Sequence, residues 1–524
     1  MTVDPVRLEV LRHHLSAIAE EMSLTVMRSS RSPVLREAGD LSSAVTDAHG
    51  DLVAQGQDIP MHMGVMSFTV REFLKLVPAE RLQPGDAWIL NLPLVGGNHL
   101  PDVKVLRPVY GEGRLRAFAV SLAHWADIGG AAPGSYYADA RDAWQEGLRI
   151  PPLRIVTAAG PDEEKIGLIL ANVRGAADRR GDLMAQIAAV RTAERRFHEL
   201  FSRFGADPVE AGLAALHDRA ETQMRTAIAS LPDGVYEGED CLDDDGRGGP
   251  PVAIRVRVTV AGDTATFDFT ASDDALEAPL NTTPFIAAAS VYYAMKATLG
   301  PDIQPSAGCY RALRIVTRPG SLLDPGEAAP VVGGNHETCQ RIADAVFLAL
   351  ARVVPERLSA GGPTTSGLVA LSGVDAAGRW TSLYEPHGGG EGARIDRDGM
   401  AVIRAHMANV MNTPAEVIEA EYPIDVLEQS IRVGSGGAGR HRGGDGLRRV
   451  YRVRVDGIVL TTMFERAVVP PYGLQGGAPG TPFRVTLERA DGTRLTVPGK
   501  ANWRLQAGDV VTVESCGGGG YGPP

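Results

Sequence analysis

Two short motifs of the same form place a histidine and an aspartate three residues apart. They are His99-Leu100-Pro101-Asp102 and His124-Trp125-Ala126-Asp127, and each stands beside a glycine pair. Imidazole and carboxylate groups are ligands for divalent transition metals such as Mn, Zn or Fe. Either motif alone is more often a turn or strand-end feature. Because the motif occurs twice, we expect a metal site.

The segment between the motifs has the pattern of a β-hairpin. Apolar residues alternate from Val103 to Val109, and again from Phe118 to Leu122. Between these stretches lies Gly111-Glu112-Gly113, a glycine-containing turn. Alternation on both sides of such a turn is the usual hairpin signal.

The register of this hairpin decides which side chains meet. A turn centred on Glu112 puts Asp102 opposite Leu122, and His124 two residues further on the same face. We therefore expect the imidazoles of His99 and His124 and at least one carboxylate to converge at the open end of the hairpin.

The elements around this hairpin alternate between helical and strand-rich stretches. The order predicts an α+β fold rather than a doubly wound parallel sheet, because runs of strands alternate with runs of helices. Helices are predicted from Asp4-Pro5 onward and over 182–204, 207–231, 285–299 and 339–354, with mostly strands and loops over 40–155, strands over 234–271 and a β-rich end from 424. The predicted units are an N-terminal α+β metal-site region (1–180), a helical hairpin (181–233), a central α+β region (234–423) and a β-rich, glycine-rich C-terminal region (424–524).

Composition excludes several partner classes. The 524 residues carry a formal net charge of −12 and contain no Lys/Arg block, so we expect neither nucleic acid nor a membrane as a partner. The four cysteines are far apart and form no Cys-x-x-Cys. No basic segment followed by an apolar core begins the sequence, and we expect a cytoplasmic location.

Glycine is unusually frequent and clustered. There are 61 glycines, with runs at Gly388–Gly390 and Gly517–Gly520. Such runs allow close backbone approach, either along a path between subunits or at a subunit contact; the alternative is tight loops. No Gly-x-x-x-x-Gly-Lys-Ser/Thr phosphate loop occurs, so an ATP site on this chain is not supported.

Segments along nearly the whole chain resemble the hydantoinase B family. The motifs that carry the resemblance are Gly96-Gly97-Asn98-His99-Leu100-Pro101-Asp102, His124-Trp125-Ala126-Asp127-Ile128-Gly129-Gly130, Gln145-Glu146-Gly147-Leu148-Arg149, Asn412-Thr413-Pro414 and the closing Gly517–Gly522. Two positions depart from the family pattern. Leu92 stands where an aspartate is usual, and Trp125 replaces a second histidine.

The resemblance implies one subunit of an ATP-dependent cyclic-amide hydrolase, such as N-methylhydantoinase, 5-oxoprolinase or caprolactamase. The family also supplies the metal-bearing subunits of acetone and acetophenone carboxylases. Its implied partner is a hydantoinase A-like ATPase subunit, which would phosphorylate the substrate in an A2B2 complex. The metal ligands that the resemblance implies are His99, Asp102 and His124.

Six further positions are candidates for site residues. Asp127 and Asp40 could support the metal-binding histidines or ligate the metal, because such histidines normally donate to a carboxylate; Asp40 is equally consistent with a turn residue. His336-Glu337 is a candidate proton-transfer pair, or else the start of a helix. His387 and Arg394 would bind the phosphate or carboxylate of an intermediate, or else belong to a structural loop.

The function expected from these features is ring opening of a hydantoin, oxoproline or lactam on substrate that the partner has phosphorylated. Alternatives are the metal-bearing subunit of a ketone carboxylase and a non-catalytic scaffold for the ATPase. The convergence of ligands argues against a scaffold, which needs none.

Overall fold

A computed structural model describes residues 4–524 and contains four β-sheets with helices between them. The mixture of helices with separate, mainly antiparallel sheets confirms the predicted α+β class. Among residues 4–524, no helix is both long and apolar enough to cross a membrane.

The first sheet has seven strands and carries both His-x-x-Asp motifs. The strands are β1 (Leu41–Asp47), β2 (Leu52–Gln55), β3 (Ala87–Leu90), β4 (Asp102–Gly111), β5 (Arg114–His124), β6 (Leu153–Thr157) and β7 (Gly160–Pro161). Their order is β2-β1-β5-β4-β3-β6-β7, and all neighbours are antiparallel. The central strands β4 and β5 are therefore buried on both faces.

The β4–β5 hairpin has a different register from the one predicted. Asp102 pairs with His124, whereas Leu122 pairs with Lys104. The turn residues are Glu112 and Gly113, both with positive φ (53° and 75°), as in a two-residue type I′ turn. The turn centre is thus displaced, and a bulge next to Tyr110 shifts the register further. As a result, Asp102 and His124 are direct cross-strand neighbours.

Six helices accompany this sheet: α1 (Pro5–Ser29), α2 (Pro33–Arg36), α3 (Val65–Leu76), α4 (Glu163–Leu170), α5 (Ala176–Phe204) and α6 (Ala206–Ile228). The predicted start of α1 is confirmed, because the Asp4 side chain accepts a hydrogen bond from the Val6 amide. The prediction missed α3, which lies in a stretch expected to hold mostly strands and loops.

Helix α5 begins at Ala176 rather than at the predicted Asp182. Asp182 is fully buried, and its carboxylate accepts hydrogen bonds from the amides of Arg31 and Ser32 and from the Ser32 hydroxyl. It therefore binds the segment between α1 and α2 and does not begin the helix.

The second sheet consists of β8 (Gly234–Leu242), β9 (Val252–Ala261), β10 (Thr264–Asp268) and β11 (Leu313–Val316), in the order β11-β10-β9-β8. Helices α7 (Pro284–Leu299), α8 (Ala307–Tyr310) and α9 (Thr338–Leu350) belong to the same part of the chain. The bounds of α7 and α9 confirm the two long helices predicted over 285–299 and 339–354. Helix α9 packs on β8 and α7.

The C-terminal part contains the two remaining sheets. Its elements are β12 (Leu368–Val374), β13 (Trp380–Pro386), α10 (Ala415–Glu421), β14 (Ile424–Arg432), β15 (Gly446–Val453), β16 (Val459–Met463), β17 (Arg484–Glu488), β18 (Arg494–Val497), β19 (Lys500–Arg504) and β20 (Val510–Glu514). The sheet orders are β13-β12-β16-β19 and β14-β15-β20-β17-β18. The predicted β-rich end is confirmed.

The glycine runs lie against one another inside the chain. A Cβ on Gly390 would stand 1.8 Å from the carbonyl oxygen of Gly444, and the amide of Gly518 donates to that same oxygen at 3.0 Å. Side chains are excluded because backbone meets backbone. The close approach expected of these glycines is present, but the segments that meet all belong to this chain.

Candidate metal centre

His99, Asp102 and His124 meet at the open end of the β4–β5 hairpin. His99 Nε2 lies 3.1 Å from Asp102 Oδ1, and His124 Nδ1 lies 3.2 Å from the same oxygen. The two ring nitrogens are 3.2 Å apart. All three side chains are buried, with at most 2% exposure. Three donor atoms therefore form a nearly equilateral triangle inside the protein.

The edges of this triangle match the donor spacing around a transition metal. With bonds of about 2.1 Å, neighbouring donors lie about 3.0 Å apart in an octahedral site and about 3.4 Å apart in a tetrahedral one. Edges of 3.1 and 3.2 Å fall between these values. Two nitrogens and one oxygen form a donor set that suits Mn, Zn or Fe, so these residues fit such an ion.

A distant loop orients the His99 ring. Its Nδ1 lies 2.9 Å from the carbonyl oxygen of Val332, so Nδ1 donates to that oxygen and Nε2 is the nitrogen that faces the triangle. The amides of Val331 and Val332 donate to the buried carboxylate of Glu146 at 3.0 and 2.8 Å. Burial raises the pKa of Glu146 to about 7. Glu146 thus holds the backbone that holds His99.

A third imidazole, from His62, contacts the other oxygen of Asp102. His62 Nε2 is 3.4 Å from Asp102 Oδ2, and its Nδ1 lies 2.8 Å from the Ser42 hydroxyl. Although burial opposes this, the charge of His99 and the hydrogen bonds of the three histidines hold the pKa of Asp102 well below its ordinary value. Sequence reasoning missed His62, which stands in Met61-His62-Met63 without a motif.

Unpaired polar atoms and aromatic rings surround the other side of His124. Among residues 4–524, His124 Nε2 and the Tyr136 hydroxyl have no hydrogen-bond partner. The His124 ring lies 4.5 Å from the ring of Tyr384, measured between centroids. Tyr384 also lines a surface cleft of about 80 Å³, together with Ala126 and Thr413. Since buried polar atoms are usually paired, these unpaired atoms are available to hydrogen-bond or ligate a bound group.

His336 and Glu337 lie beside the triangle. The ring of His336 is 6.2 Å from that of His99, and its Nδ1 is 3.0 Å from Glu337 Oε1. Burial and the charges of His99 and His124 lower the pKa of His336 well below its ordinary value. Burial raises the pKa of Glu337 to about 8. At neutral pH the imidazole is therefore neutral and the carboxyl mostly protonated.

The two further aspartates occupy different positions. The Asp40 carbonyl accepts a hydrogen bond from the His124 amide at 3.1 Å, and the Asp40 side chain is buried. After the larger contributions of Asp102, the charge of Asp40 helps to raise the pKa of His99 against the effect of burial. The Asp127 carboxylate accepts from Gly129, Gly134 and Arg174 instead, so it organises the loop that follows His124.

His387 and Arg394 make contacts outside the triangle. His387 is buried, with Nδ1 3.0 Å from the Gly367 carbonyl and Nε2 3.0 Å from the Tyr451 hydroxyl. Arg394 is 42% exposed and lies 3.9 Å from Glu391. Both nitrogens of His387 are thus engaged within the fold.

Sequence reasoning also missed Arg404, a partly buried cation near the centre. It donates to the Ser366 carbonyl at 2.6 Å. Burial lowers the pKa of Arg404, while the neighbouring Tyr384, Asp40 and Glu337 oppose that change. No motif in its loop distinguishes this arginine from others.

Comparisons with known proteins find relatives along the whole chain. A family model described as hydantoinase B/oxoprolinase matches residues 4–524. The 5-oxoprolinase 1 of Arabidopsis thaliana is 32% identical over 545 residues, which is 99% of this chain but 42% of that protein. Caprolactamase subunit beta of Pseudomonas jessenii is 32% identical over 554 residues, covering 100% of this chain and 91% of that subunit. The chain thus spans less than half of the oxoprolinase.

Solved structures agree with these relatives. The crystal structure of the ATP-dependent caprolactamase from Pseudomonas jessenii matches with a TM-score of 0.93 at 30% identity, over 100% of this chain and 92% of that one. The nucleotide-free acetone carboxylase matches with a TM-score of 0.91 at 18% identity, over 99% of this chain and 76% of that one. The second likeness is one of fold.

Proposed function

The chain belongs to the hydantoinase B/oxoprolinase family, and from this premise we propose that it is the metal-bearing subunit of an ATP-dependent cyclic-amide hydrolase. The observation that carries the proposal is the buried triangle of His99, Asp102 and His124, with edges of 3.1 and 3.2 Å. Relatives named 5-oxoprolinase and caprolactamase subunit beta support the substrate class, a cyclic amide such as a hydantoin, oxoproline or lactam.

Two subunits would divide the chemistry. A cyclic amide is a poor electrophile at neutral pH, and phosphorylation of its carbonyl oxygen turns that oxygen into a leaving group. This chain contains no phosphate-loop motif, so we assign the ATP-dependent step to a hydantoinase A-like partner in an A2B2 complex. The relative named caprolactamase subunit beta supports the existence of a partner.

His99, Asp102 and His124 would hold one divalent transition metal, Mn, Zn or Fe. When bound there, the metal supplies a Lewis acid that lowers the pKa of water. Val332 fixes the ring of His99, and His62 contacts the far oxygen of Asp102, so the ligands keep their positions without reorganisation.

His336 and Glu337 are the pair best placed to transfer a proton. The imidazole is neutral, and among the described residues its Nε2 has no hydrogen-bond partner. The mostly protonated Glu337 carboxyl would give a proton to Nδ1 while Nε2 releases one to the reacting group, which leaves Glu337 as the carboxylate. Asp127 would act indirectly, by holding the loop after His124, and Asp40 by its charge beside His99.

An anionic intermediate needs a cation close to the triangle. Arg404 meets this need, since it lies near Asp40, Glu337 and Tyr384. Its guanidinium would bind the phosphate of the activated substrate. The substrate-binding roles of His387 and Arg394 stay predictions, and both residues would act from the surrounding loops.

The test is metal content followed by activity. The wild-type chain, His124→Ala and the exposed control His198→Ala are purified with Mn, Zn or Fe and analysed for bound metal. We expect His124→Ala to bind one equivalent less than the other two. Equal metal content in all three proteins would contradict the proposal.

Activity is then measured with the A-type subunit, ATP and a panel of hydantoins, oxoproline, lactams and ketones. We expect ATP-dependent ring opening that falls at least about 100-fold in His124→Ala. If the enzyme consumes a ketone together with bicarbonate and consumes no cyclic amide, the proposed hydrolase activity is wrong and a carboxylase activity takes its place.

A further inference from the structure

A second group of metal-ligand side chains lies far from the triangle. Asp47 ends β1, Asp51 lies in the turn to β2, and His217 is on α6. One donor atom of each lies within 4.8 Å of the others. Strand β1 begins at Leu41, which pairs with Ala123 next to His124, so its seven residues put about 20 Å between the two groups.

His217 has an unusual environment. Its side chain is buried, with 2% exposure, and neither ring nitrogen has a hydrogen-bond partner within residues 4–524. Buried polar groups in native proteins are nearly always paired with protein, water or an ion. One of these ring nitrogens is the atom that faces Asp47 and Asp51. The imidazole therefore points toward two carboxylates without being bonded to either.

Each of the two carboxylates is held in place mainly through one of its own oxygens. Asp47 Oδ1 accepts from the amides of His49 and Asp51, at 2.9 and 2.8 Å. Asp51 Oδ1 accepts from Arg71 Nε at 3.0 Å, while Asp51 Oδ2 lies 3.8 Å from Arg311 Nη2. Each aspartate is thus held mainly through Oδ1, and Asp51 Oδ2 has only the longer ion pair with Arg311.

The neighbouring cations leave this arrangement open to a metal. Arg311 is bonded to Glu221 at 3.1 Å and to Asp218 at 3.3 Å, so it does not depend on Asp51. Neighbouring donors around an octahedral ion lie about 3.0 Å apart and opposite donors about 4.2 Å, so the three side chains would rotate inward from their present spacing of at most 4.8 Å to bind an ion.

We propose that Asp47, Asp51 and His217 form a second metal site, which connects the β1–β2 turn to α6. One imidazole and two carboxylates suit zinc or a similar divalent transition metal better than calcium or magnesium, which prefer oxygen ligands alone. The site would have a structural role, because it would anchor β1. Strand β1 pairs with β5, and β5 carries His124.

Zinc binding to the metal-free full chain tests the site. The wild type, His217→Gln and the exposed control His198→Gln are dialysed against zinc, and bound metal is counted. We expect His217→Gln to bind one equivalent less than the other two. Zinc should also raise the Tm of His124→Ala, in which the first site is removed, but not that of the double variant His124→Ala/His217→Gln.

Equal zinc content in His217→Gln and His198→Gln would overturn the proposal. If His217→Gln does not fold, Asp51→Asn replaces it, because Asp51 is partly exposed and its loss leaves no buried cavity. Retention of the full zinc content by Asp51→Asn would then overturn the proposal. The two metal proposals are tested independently, because His124→Ala removes one bound metal ion from the first site and His217→Gln removes one from the second.

Discussion

Two buried charged clusters in this chain are built in opposite ways. The histidine cluster consists of His62, His99, Asp102 and His124, and the arginine cluster of Asp240, Arg341, Asp344 and Arg466. The first surrounds one carboxylate with three imidazoles. The second joins two carboxylates to two guanidinium groups, with Arg466 Nη2 2.8 Å from Asp240 and 2.6 Å from Asp344.

The difference separates a binding site from a structural joint. The arginine cluster balances its own charge, and it connects β8, α9 and the segment after β16. The histidine cluster brings lone pairs together and leaves His124 Nε2 without a partner in the described part of the chain. A cluster whose charges are balanced stabilises the fold as long as every ion pair is present. A cluster with an excess of ligand atoms needs a bound cation to pair them.

Breaking the arginine cluster should have the largest effect on stability. Arg466→Met leaves the carboxylates of Asp240 and Asp344 short of a buried cation, and we expect a loss of about 3–5 kcal/mol in the free energy of unfolding. Urea denaturation measures this loss. The control is Arg484→Met, which removes an exposed ion pair with Glu514 and should cost at most about 1 kcal/mol. Equal losses would mean that the cluster has no structural role.

The same substitution in both clusters sharpens the contrast. Asp102→Asn should weaken metal binding at least about 100-fold, because it removes a charged ligand. Asp240→Asn should destabilise the chain without changing the metal content. Isothermal titration and denaturation of both variants decide the matter. Unchanged metal affinity in Asp102→Asn, or a loss of bound metal in Asp240→Asn, would contradict this distinction.

Glu146 tests whether the histidine cluster depends on a second layer of residues. Glu146→Gln weakens the support of the Val332 carbonyl that orients His99, and we expect about 10-fold weaker metal binding. The control is the exposed Glu80→Gln. Unchanged affinity in Glu146→Gln would show that the loop holds His99 without this carboxylate.

The same variant makes a prediction about pH. The pKa of Glu146 is raised to about 7 by burial, against 4.5 for an unfolded glutamate. Between these values the folded chain holds more protons than the unfolded one, so its free energy of unfolding falls with rising pH, by at most about 3 kcal/mol. Glu146→Gln should flatten this fall when unfolding of the metal-free chain is measured from pH 4.5 to 7. If the free energy of unfolding falls with pH equally in Glu146→Gln and the wild type, groups other than Glu146 cause the fall.

The smallest effects are expected outside both clusters. Arg394→Ala removes an exposed side chain, and we expect changes below about 0.5 kcal/mol in stability and about 2-fold in KM. Arg404→Ala, closer to the triangle, should raise KM about 10-fold. Steady-state kinetics of the two-subunit enzyme compare the variants. A 10-fold rise in KM for Arg394→Ala would support the substrate-binding role predicted from the sequence, whereas a change of about 2-fold or less would speak against it.

The sequence by itself determined the local features. The alternation of apolar residues around Gly111-Glu112-Gly113 predicted the hairpin, and the paired motifs predicted that His99 and His124 meet a carboxylate at its open end. The family resemblance named Asp102 as that carboxylate. The alternation of strand and helix patterns determined the α+β class, because side-chain periodicity follows directly from local geometry. The sequence did not reveal the true centre of the turn or the bulge next to Tyr110. Both shift which residues of β4 and β5 pair, without changing the alternation of apolar residues.

Only the tertiary structure decided the surroundings of the site. The carbonyl that orients His99 belongs to Val332, 233 residues away, and the ion pair of Arg466 with Asp240 spans 226 residues. His62 and Arg404 stand in segments without a motif, and the motif around Glu146 does not reveal its contact with Val331 and Val332, so packing alone brings these residues together. Such contacts leave no periodic signal in the sequence, because the chain between their partners is long and their positions depend on how whole sheets and helices pack.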